Sequence, residues 1–98
     1  MIEIIRSATF DAWLNSVKDR QARARILVRI GHLAAGNPGD VKPVGSGLSE
    51  MRIPYGPGYR VYFIKRGDQI AVLLCGGDKA TQKADIALVK VIAEDWKD

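Results

Sequence analysis

The amino-acid sequence predicts an α+β domain in which helices pack on one face of a mostly antiparallel sheet. Two helical stripes of apolar residues come first, and the apolar period changes to two in the middle of the chain. A further helical stripe closes the chain. We expect the element order β-α-α-β-β-β-α in a single domain over residues 1–98, because a chain of this length builds one hydrophobic core.

The N-terminal half predicts one strand followed by two helices. Residues 2–6 are rich in isoleucine, which favours a short strand. The first helix, which Ser7 or Thr9 can cap, has apolar residues at helical spacing. These are Phe10, Trp13, Leu14 and Val17. The second helix starts after Asp19 as N-cap and runs to about Ala35, where Gly36 and Pro38 stop it. Its apolar stripe is Ala22, Ile26, Ile30 and Leu33.

The C-terminal half predicts three strands and a last helix. After a connector rich in glycine and proline, residues 36–47, apolar and polar side chains alternate. The alternating apolar positions are Met51 and Ile53, then Tyr59, Val61 and Phe63, then Ile70, Val72 and Leu74. Turns at residues 54–58 and 66–68 join these strands into an antiparallel meander. Residues 76–78 end the sheet, and the last helix has apolar residues at Ile86, Val89, Ala93 and Trp96.

Composition and charge restrict the function. The chain has 15 Lys and Arg against 11 Asp and Glu, and this net charge of +4 suggests an anionic partner. A single cysteine, Cys75, and a single histidine, His32, provide neither a disulfide nor a ligand set for zinc or an iron–sulfur cluster. The longest apolar run is too short to span a bilayer, and the N-terminus does not resemble a signal peptide. We therefore expect a cytoplasmic protein with no cofactor and no membrane partner.

Basic residues cluster in two stretches that contain no acid. In the second helix, Arg25 and Arg29 share the side that faces away from the apolar stripe. In the strands, Arg60 and Tyr62 point to the same face, and a neighbouring strand could bring Arg52 beside them. The second stretch ends with Lys65 and Arg66. These side chains are candidate anchors for nucleic-acid phosphates; the alternatives are solvated helix surface, or protection of the sheet against aggregation.

A glycine-containing segment, residues 76–81, precedes the last helix. It lacks the spacing and the Gly-Lys-Ser/Thr ending of a phosphate-binding loop, so nucleotide hydrolysis is not predicted. A helix N-terminus with Lys79 beside it is nevertheless an ordinary anion site, which would suit a backbone phosphate.

Two segments resemble toxins of the RelE/ParE superfamily, most closely the HigB-like "addiction module killer" group. Residues 48–63 (LSEMRIPYGPGYRVYF) resemble the central hairpin of that group, and residues 74–82 (LCGGDKATQ) resemble its strand-to-helix junction. The opening Phe10-x-x-Trp13-Leu14 and the element order agree, so the resemblance covers nearly the whole chain.

This resemblance implies a RelE-like fold and the toxin of a type II toxin–antitoxin module. The implied activity is that of a ribosome-dependent endoribonuclease, which cleaves translated mRNA at the A site by metal-independent attack of a 2′-hydroxyl on the adjacent phosphate. The implied partners are the ribosome, mRNA and a cognate helix-turn-helix antitoxin of the HigA type. Position by position, the implied catalytic cations are Arg60, Lys79 and Arg52. The candidate RNA-binding residues are Arg25, Arg29, Lys65, Arg66 and Tyr62.

One position departs from the RelE pattern. RelE-type toxins carry a tyrosine in the last helix, whereas Asp85 stands there in this chain. The resemblance therefore implies that Tyr62 or Asp85 assists proton transfer, or that the ribosome supplies the positioning. We also expect the side chains of Arg60 and Lys79 to be exposed.

Two other functions fit the same fold. One is inhibition of DNA gyrase by a ParE-like binding protein without catalytic activity. The other is nucleic-acid binding by an inactive homologue. Fold alone does not separate these activities, because one fold hosts several functions.

Overall fold

The computed structural model describes residues 1–96. In chain order the elements are β1 (Glu3–Arg6), α1 (Ala8–Ser16), α2 (Arg20–Ala34), β2 (Val41–Gly45), β3 (Leu48–Ile53), β4 (Tyr59–Arg66), β5 (Ile70–Asp78) and α3 (Gln82–Asp95). They form a mixed sheet in the order β1-β5-β4-β3-β2. Strand β1 runs parallel to β5, and the other neighbouring pairs are antiparallel. The predicted α+β class is therefore confirmed.

Side-chain caps begin the first two helices. The Ser7 hydroxyl accepts a hydrogen bond from the Phe10 amide at 3.0 Å and donates one to the Leu74 carbonyl at 2.8 Å. The cap of α1 is thus Ser7 rather than Thr9, and it also fixes the helix to β5. Asp19 caps α2 as predicted, because its carboxylate accepts from the amides of Gln21 and Ala22.

The predicted stripes of α1 and α2 pack together on one face of the sheet. Their buried members include Phe10, Leu14, Ala22, Ile26 and Leu33. The sheet contributes Met51, Ile53, Val61, Phe63 and Leu73 to the same cluster. Alternate residues of a strand share a face, so the period of two in β3 and β4 places these side chains on the face covered by α1 and α2.

Helix α3 lies on the opposite face, so the expectation that helices cover one face is wrong. Val89 of α3 packs with a second set of strand side chains. This set is Leu48, Tyr62, Ile64, Val72, Leu74 and Cys75. In β5 the register shifts at a bulge, where Phe63 pairs with Leu73 and Tyr62 with Cys75. Strand β4 is apolar on both faces, which is typical of a strand covered on both sides.

Strand β2 lies within the segment that the sequence predicts as a connector. It pairs with β3 at the edge of the sheet, and the register shifts between Pro43 and Gly45. Proline occurs in sheets at edges or bulges because it donates no ladder hydrogen bond. The glycine and proline content that predicts a loop is therefore also compatible with this short edge strand.

Candidate functional site

The predicted catalytic cations meet at one end of the sheet. Arg52 pairs with Arg60 across β3 and β4, and Arg60 pairs with Gly77 of β5. Lys79 is exposed just beyond the end of β5. A Cβ added to Gly58, in the turn before β4, would lie 3.5 Å from the Cβ of Lys79. The strand register thus brings together three cations that are separated by as many as 27 positions in the chain (52 to 79).

A buried carboxylate, Glu50, organises the two arginines. Its side chain has no exposed surface, and its Oε1 forms an ion pair with the Arg60 Nη1 atom. The Arg52 Nε atom lies 3.5 Å from the same oxygen. From α3, the Gln82 Nε2 atom donates to both Glu50 oxygens, at 2.9 and 3.2 Å. A buried carboxylate needs such partners, because its desolvation is otherwise too costly.

Arg60 is 9% exposed, so the expectation of an exposed Arg60 is wrong. The physical reason is the alternation of strand side chains: Arg60 points to the face that α3 covers, where Glu50 balances its charge. Two guanidinium groups and one carboxylate leave the cluster with one net positive charge. Lys79, which is exposed as expected, adds another at its rim.

Arg52 and Arg60 both line a cavity at this end of the sheet. The cavity has a volume of about 260 Å³, and its other lining residues include Asp40, Pro54 and Tyr59. The Nε atoms of both arginines are buried and make no hydrogen bond within the described residues. A guanidinium carries five N–H donors in a planar fork, which suits the oxygens of a phosphate. The cavity can therefore hold an anion.

Tyr62 lies beneath this cluster and is fully buried. A ring without exposed surface does not contact RNA in this conformation, so its predicted RNA-binding role is corrected to packing beneath the cluster. Burial raises the pKa of its phenol, and the nearby carboxylates of Glu50 and Asp85 raise that pKa further. The hydroxyl has no hydrogen-bond partner among the described residues. A phenol with a raised pKa keeps its proton at neutral pH and is not a general base.

The two adjacent glycines of β5 accommodate side chains on opposite faces of the sheet. A Cβ on Gly76 would lie 2.2 Å from the ring of Trp13, and a Cβ on Gly77 would lie 1.8 Å from the Asp85 Oδ2 atom. Both distances are shorter than van der Waals contact, so a larger residue at either position would displace Trp13 or Asp85. These glycines therefore allow close packing within a strand and do not form a phosphate-binding loop.

The start of α3 is occupied by the protein's own carboxylates. The Thr81 amide donates to the Asp78 Oδ1 atom at 3.1 Å, and the Thr81 hydroxyl donates to the Asp85 Oδ2 atom at 2.5 Å. Asp78 therefore takes one amide donor at this helix start, and its carboxylate, together with that of Asp85, opposes the binding of an anion at the expected site. Asp85 packs against Gly77 of β5 and accepts the Thr81 hydrogen bond, and so fixes the first turn of α3 to that strand.

The helical arginines differ in their contacts. Arg29 donates to the backbone carbonyls of Arg52 and Pro38, the latter at 2.9 Å, and so ties α2 to β3. Binding of RNA by Arg29 would require these hydrogen bonds to break. In this structure Arg29 therefore has a structural role. The Arg25 guanidinium lies 4.5 Å from the centre of the Tyr55 ring, an arrangement typical of a cation–π contact. Arg25 is exposed, and its RNA contact remains a prediction.

Lys65 and Arg66 lie at the opposite end of β4 from Arg60. Lys65 is five positions along the strand, which corresponds to roughly 17 Å at the usual rise per residue. It is exposed, whereas Arg66 donates to the Trp96 carbonyl at 2.8 Å. The structure does not bring these two cations to the Arg52–Arg60 cluster, so they would bind RNA separately from it.

Sequence reasoning missed Glu50 and Gln82. A signal for Glu50 was present, because it shares the strand period with Leu48 and Arg52, and a charge at a buried strand position requires a partner. No pattern indicated Gln82, because its role depends on where α3 crosses the sheet. No helix within residues 1–96 is long and apolar enough to cross a membrane.

Residues 12–97 match the family described as "Phage derived protein Gp49-like (DUF891)". The chain belongs to the Gp49-like family. Its sequence is also similar to an uncharacterized protein of Haemophilus influenzae, with 46% identity over 94 residues, which covers 96% of this chain and 95% of that protein. The Gp49-like family is a RelE/addiction-module killer family. Membership in it implies a toxin-type protein with an antitoxin partner.

Proposed function

We propose that this chain is the HigB-like toxin of a type II toxin–antitoxin module and acts as a ribosome-dependent mRNA endonuclease in the cytoplasm. The observation that carries this proposal is the cavity lined by Arg52 and Arg60, with Lys79 beside Gly58 of its lining, in a chain of a RelE-type family. A phosphate of mRNA in the ribosomal A site would occupy this cavity. The ribosome would supply the orientation and the site selection that so small a protein does not provide.

The proposed reaction uses the 2′-hydroxyl of the RNA as nucleophile. Its oxygen forms a bond to the adjacent phosphorus, the bond from phosphorus to the 5′-oxygen breaks, and a 2′,3′-cyclic phosphate results. The hydroxyl proton passes to water, and Lys79 donates a proton to the leaving 5′-oxygen. Negative charge accumulates on the phosphate oxygens in the transition state, where Arg52 and Arg60 stabilise it.

Glu50 acts in this proposal as a positioning residue. Its carboxylate holds Arg60 and faces Arg52, so both guanidinium groups are fixed before RNA arrives. Donors that are fixed in advance stabilise a transition state without further reorganisation. Asp85 supports the same arrangement from α3, because it accepts the hydrogen bond of Thr81 in the first turn of that helix. The buried and protonated Tyr62 does not serve as a base.

Toeprinting with purified protein on a programmed ribosome tests the proposed function. We expect cuts at the A-site codon when the ribosome is present and none in naked mRNA. Absence of cuts from a folded protein that arrests growth would contradict the endonuclease proposal. A supercoiling assay would then test the alternative of a ParE-like gyrase inhibitor. A chain that neither cuts RNA nor arrests growth would instead fit an inactive nucleic-acid-binding homologue.

A further inference from the structure

Helix α2 carries a second apolar stripe on its outer face. The stripe is Ala24, Leu27, Val28 and Gly31, at i, i+3, i+4 and i+7. All four residues are exposed, with Leu27 44% and Val28 55% exposed. The opposite side of α2 already packs on the sheet. A surface helix normally presents polar side chains to water, so an apolar stripe at this spacing is typical of a face that packs against another helix.

The shape of this face suits a helix as the occupant. A shallow groove of about 330 Å³ runs along it, lined by Gln21, Ala24, Arg25 and Val28. A Cβ added to Gly31 would meet no atom of the described part of the chain within 4 Å, so the surface beside the large side chains is open. The 15 residues of α2 span about 22 Å, which a partner helix of about four turns would match.

The positive charge around the stripe indicates which kind of partner helix would bind there. Arg20, Arg23 and Arg25 are exposed on α2, and the helix contains no acidic residue. A second copy of this chain would bring like charges together, which costs free energy. Leucine and valine offer no hydrogen bonds to RNA phosphates. Complementarity therefore favours an amphipathic helix that has apolar residues in its centre and Asp or Glu along its sides.

We propose that the outer face of α2 binds an acidic amphipathic helix of the antitoxin. This inference rests on the proposed function for the identity of the partner. The antitoxin helix packs its apolar residues on Leu27 and Val28, and its acids pair with the flanking arginines. Such a helix would also cover Arg25, so that antitoxin and RNA compete for that side chain. The bound antitoxin would then enlarge the toxin on the face away from the Glu50 cluster.

Calorimetric titration of the full-length chain with the purified antitoxin of its module tests this proposal. We expect the double variant L27E/V28E to bind the antitoxin about 100-fold more weakly, because it places acids in the centre of the interface. The matched control is L88E/V91E on α3, where the original side chains are 48% and 56% exposed. The control should bind within about twofold of the wild type, and thermal unfolding followed by circular dichroism should show that both variants fold.

Salt provides an independent readout. We expect the affinity of the wild type to fall as NaCl is raised from about 0.05 to 0.5 M, since exposed charges are screened over this range. Replacing Arg20 and Arg23 by Ala should weaken binding at low salt and reduce this dependence on salt. Equal salt dependence in the wild type and the double alanine variant would contradict the predicted pairing of acids with these arginines.

Four results would overturn the proposal. Unchanged antitoxin binding by L27E/V28E, or no binding to the wild type, would remove the antitoxin from this face. A dimer of the free chain that L27E/V28E dissociates would assign the face to a second copy. If L27E/V28E lost ribosome binding but kept antitoxin binding, the outer face of α2 would be assigned to the ribosome. Toeprinting without antitoxin tests the endonuclease separately. If the chain binds the antitoxin through α2 but does not cut RNA, the proposed binding face is supported and the proposed endonuclease is not.

Discussion

The two faces of the sheet are built from different chemistry. Against α1 and α2, the sheet buries a cluster of hydrophobic residues that includes Val61 and Phe63. Against α3, the same strands bury Glu50, Arg60 and Tyr62 beside their apolar neighbours. Since alternate residues of β4 supply both faces, one strand contributes to a conventional core and to a charged cluster at once.

This difference separates stability from function. An apolar cluster stabilises a fold by removing hydrocarbon surface from water. A buried ion pair gives little net stability, because the attraction between the charges is offset by the loss of their hydration. The α3 face therefore holds Arg52 and Arg60 in position at the expense of stability that a purely apolar face would provide. Charged residues kept in such a place are expected at functional sites.

The largest predicted effect on stability comes from Glu50→Gln. This change leaves Arg60 buried without a counter-charge, which we expect to lower the free energy of unfolding by about 3–5 kcal/mol. Urea unfolding measures this change, with Glu94→Gln on the exposed side of α3 as the matched control. If Glu50→Gln unfolds at the same urea concentration as the control, the α3 face does not depend on a buried ion pair, and the proposed difference between the two faces is wrong.

On the other face, Leu14→Ala should lower the free energy of unfolding by about 2–5 kcal/mol. The cause is the loss of buried hydrocarbon and the cavity that remains. Leu88→Ala, at a position that is 48% exposed, should change stability by less than about 0.5 kcal/mol. Urea unfolding of both variants measures the difference. Similar losses for Leu14→Ala and Leu88→Ala would show that the α1 and α2 layer is not the stabilising core.

The smallest predicted effect at neutral pH comes from Tyr62→Phe. We expect stability to change by less than about 1 kcal/mol at pH 7, because within residues 1–96 the buried hydroxyl has no hydrogen-bond partner to lose. In the wild type the folded state keeps the phenol proton, whereas the unfolded chain releases it near the ordinary pKa of 10.0. The stability from this raised pKa is present below pH 10 and lost as the pH rises above it.

Unfolding experiments at alkaline pH check this behaviour. Tyr62→Phe should lose less stability than the wild type between about pH 10 and pH 11, because the substituted ring cannot ionise. The rate of RNA cleavage should be unchanged at pH 7. A large loss of cleavage in a folded Tyr62→Phe variant would restore the tyrosine as a participant in proton transfer.

The sequence was sufficient to predict most of the fold but only part of the site. The stripes of α1 and α2, the Asp19 cap and the alternation in β3 and β4 are local patterns, and the structure confirms them. The face on which α3 packs is not local, because apolar residues on both faces of β4 allow either choice. Strand β2 was missed because Pro43 and Gly45 are compatible with both a loop and a sheet edge.

The same distinction applies to the site. Strand alternation predicted that Arg60 and Tyr62 share a face and that Arg52 could join them, and the register confirms this placement. Their burial was not predicted, since it depends on α3 and on the Glu50 carboxylate. Likewise, the interaction of Arg29 with backbone carbonyls depends on the path of the connector, which no periodic pattern describes.

The most direct test of the account compares Arg52 with Lys65. The Arg52 side chain is 37% exposed, so Arg52→Ala removes a cation from the cavity without leaving Glu50 unpaired, since Arg60 remains. Lys65→Ala removes one charge from the far end of the same sheet. Single-turnover cleavage on A-site-programmed ribosomes, at protein concentrations that saturate binding, should be about 100-fold slower for Arg52→Ala and within about threefold of the wild type for Lys65→Ala, since Lys65 would contribute to binding alone. Equal rates for the two folded variants would contradict the placement of the active site.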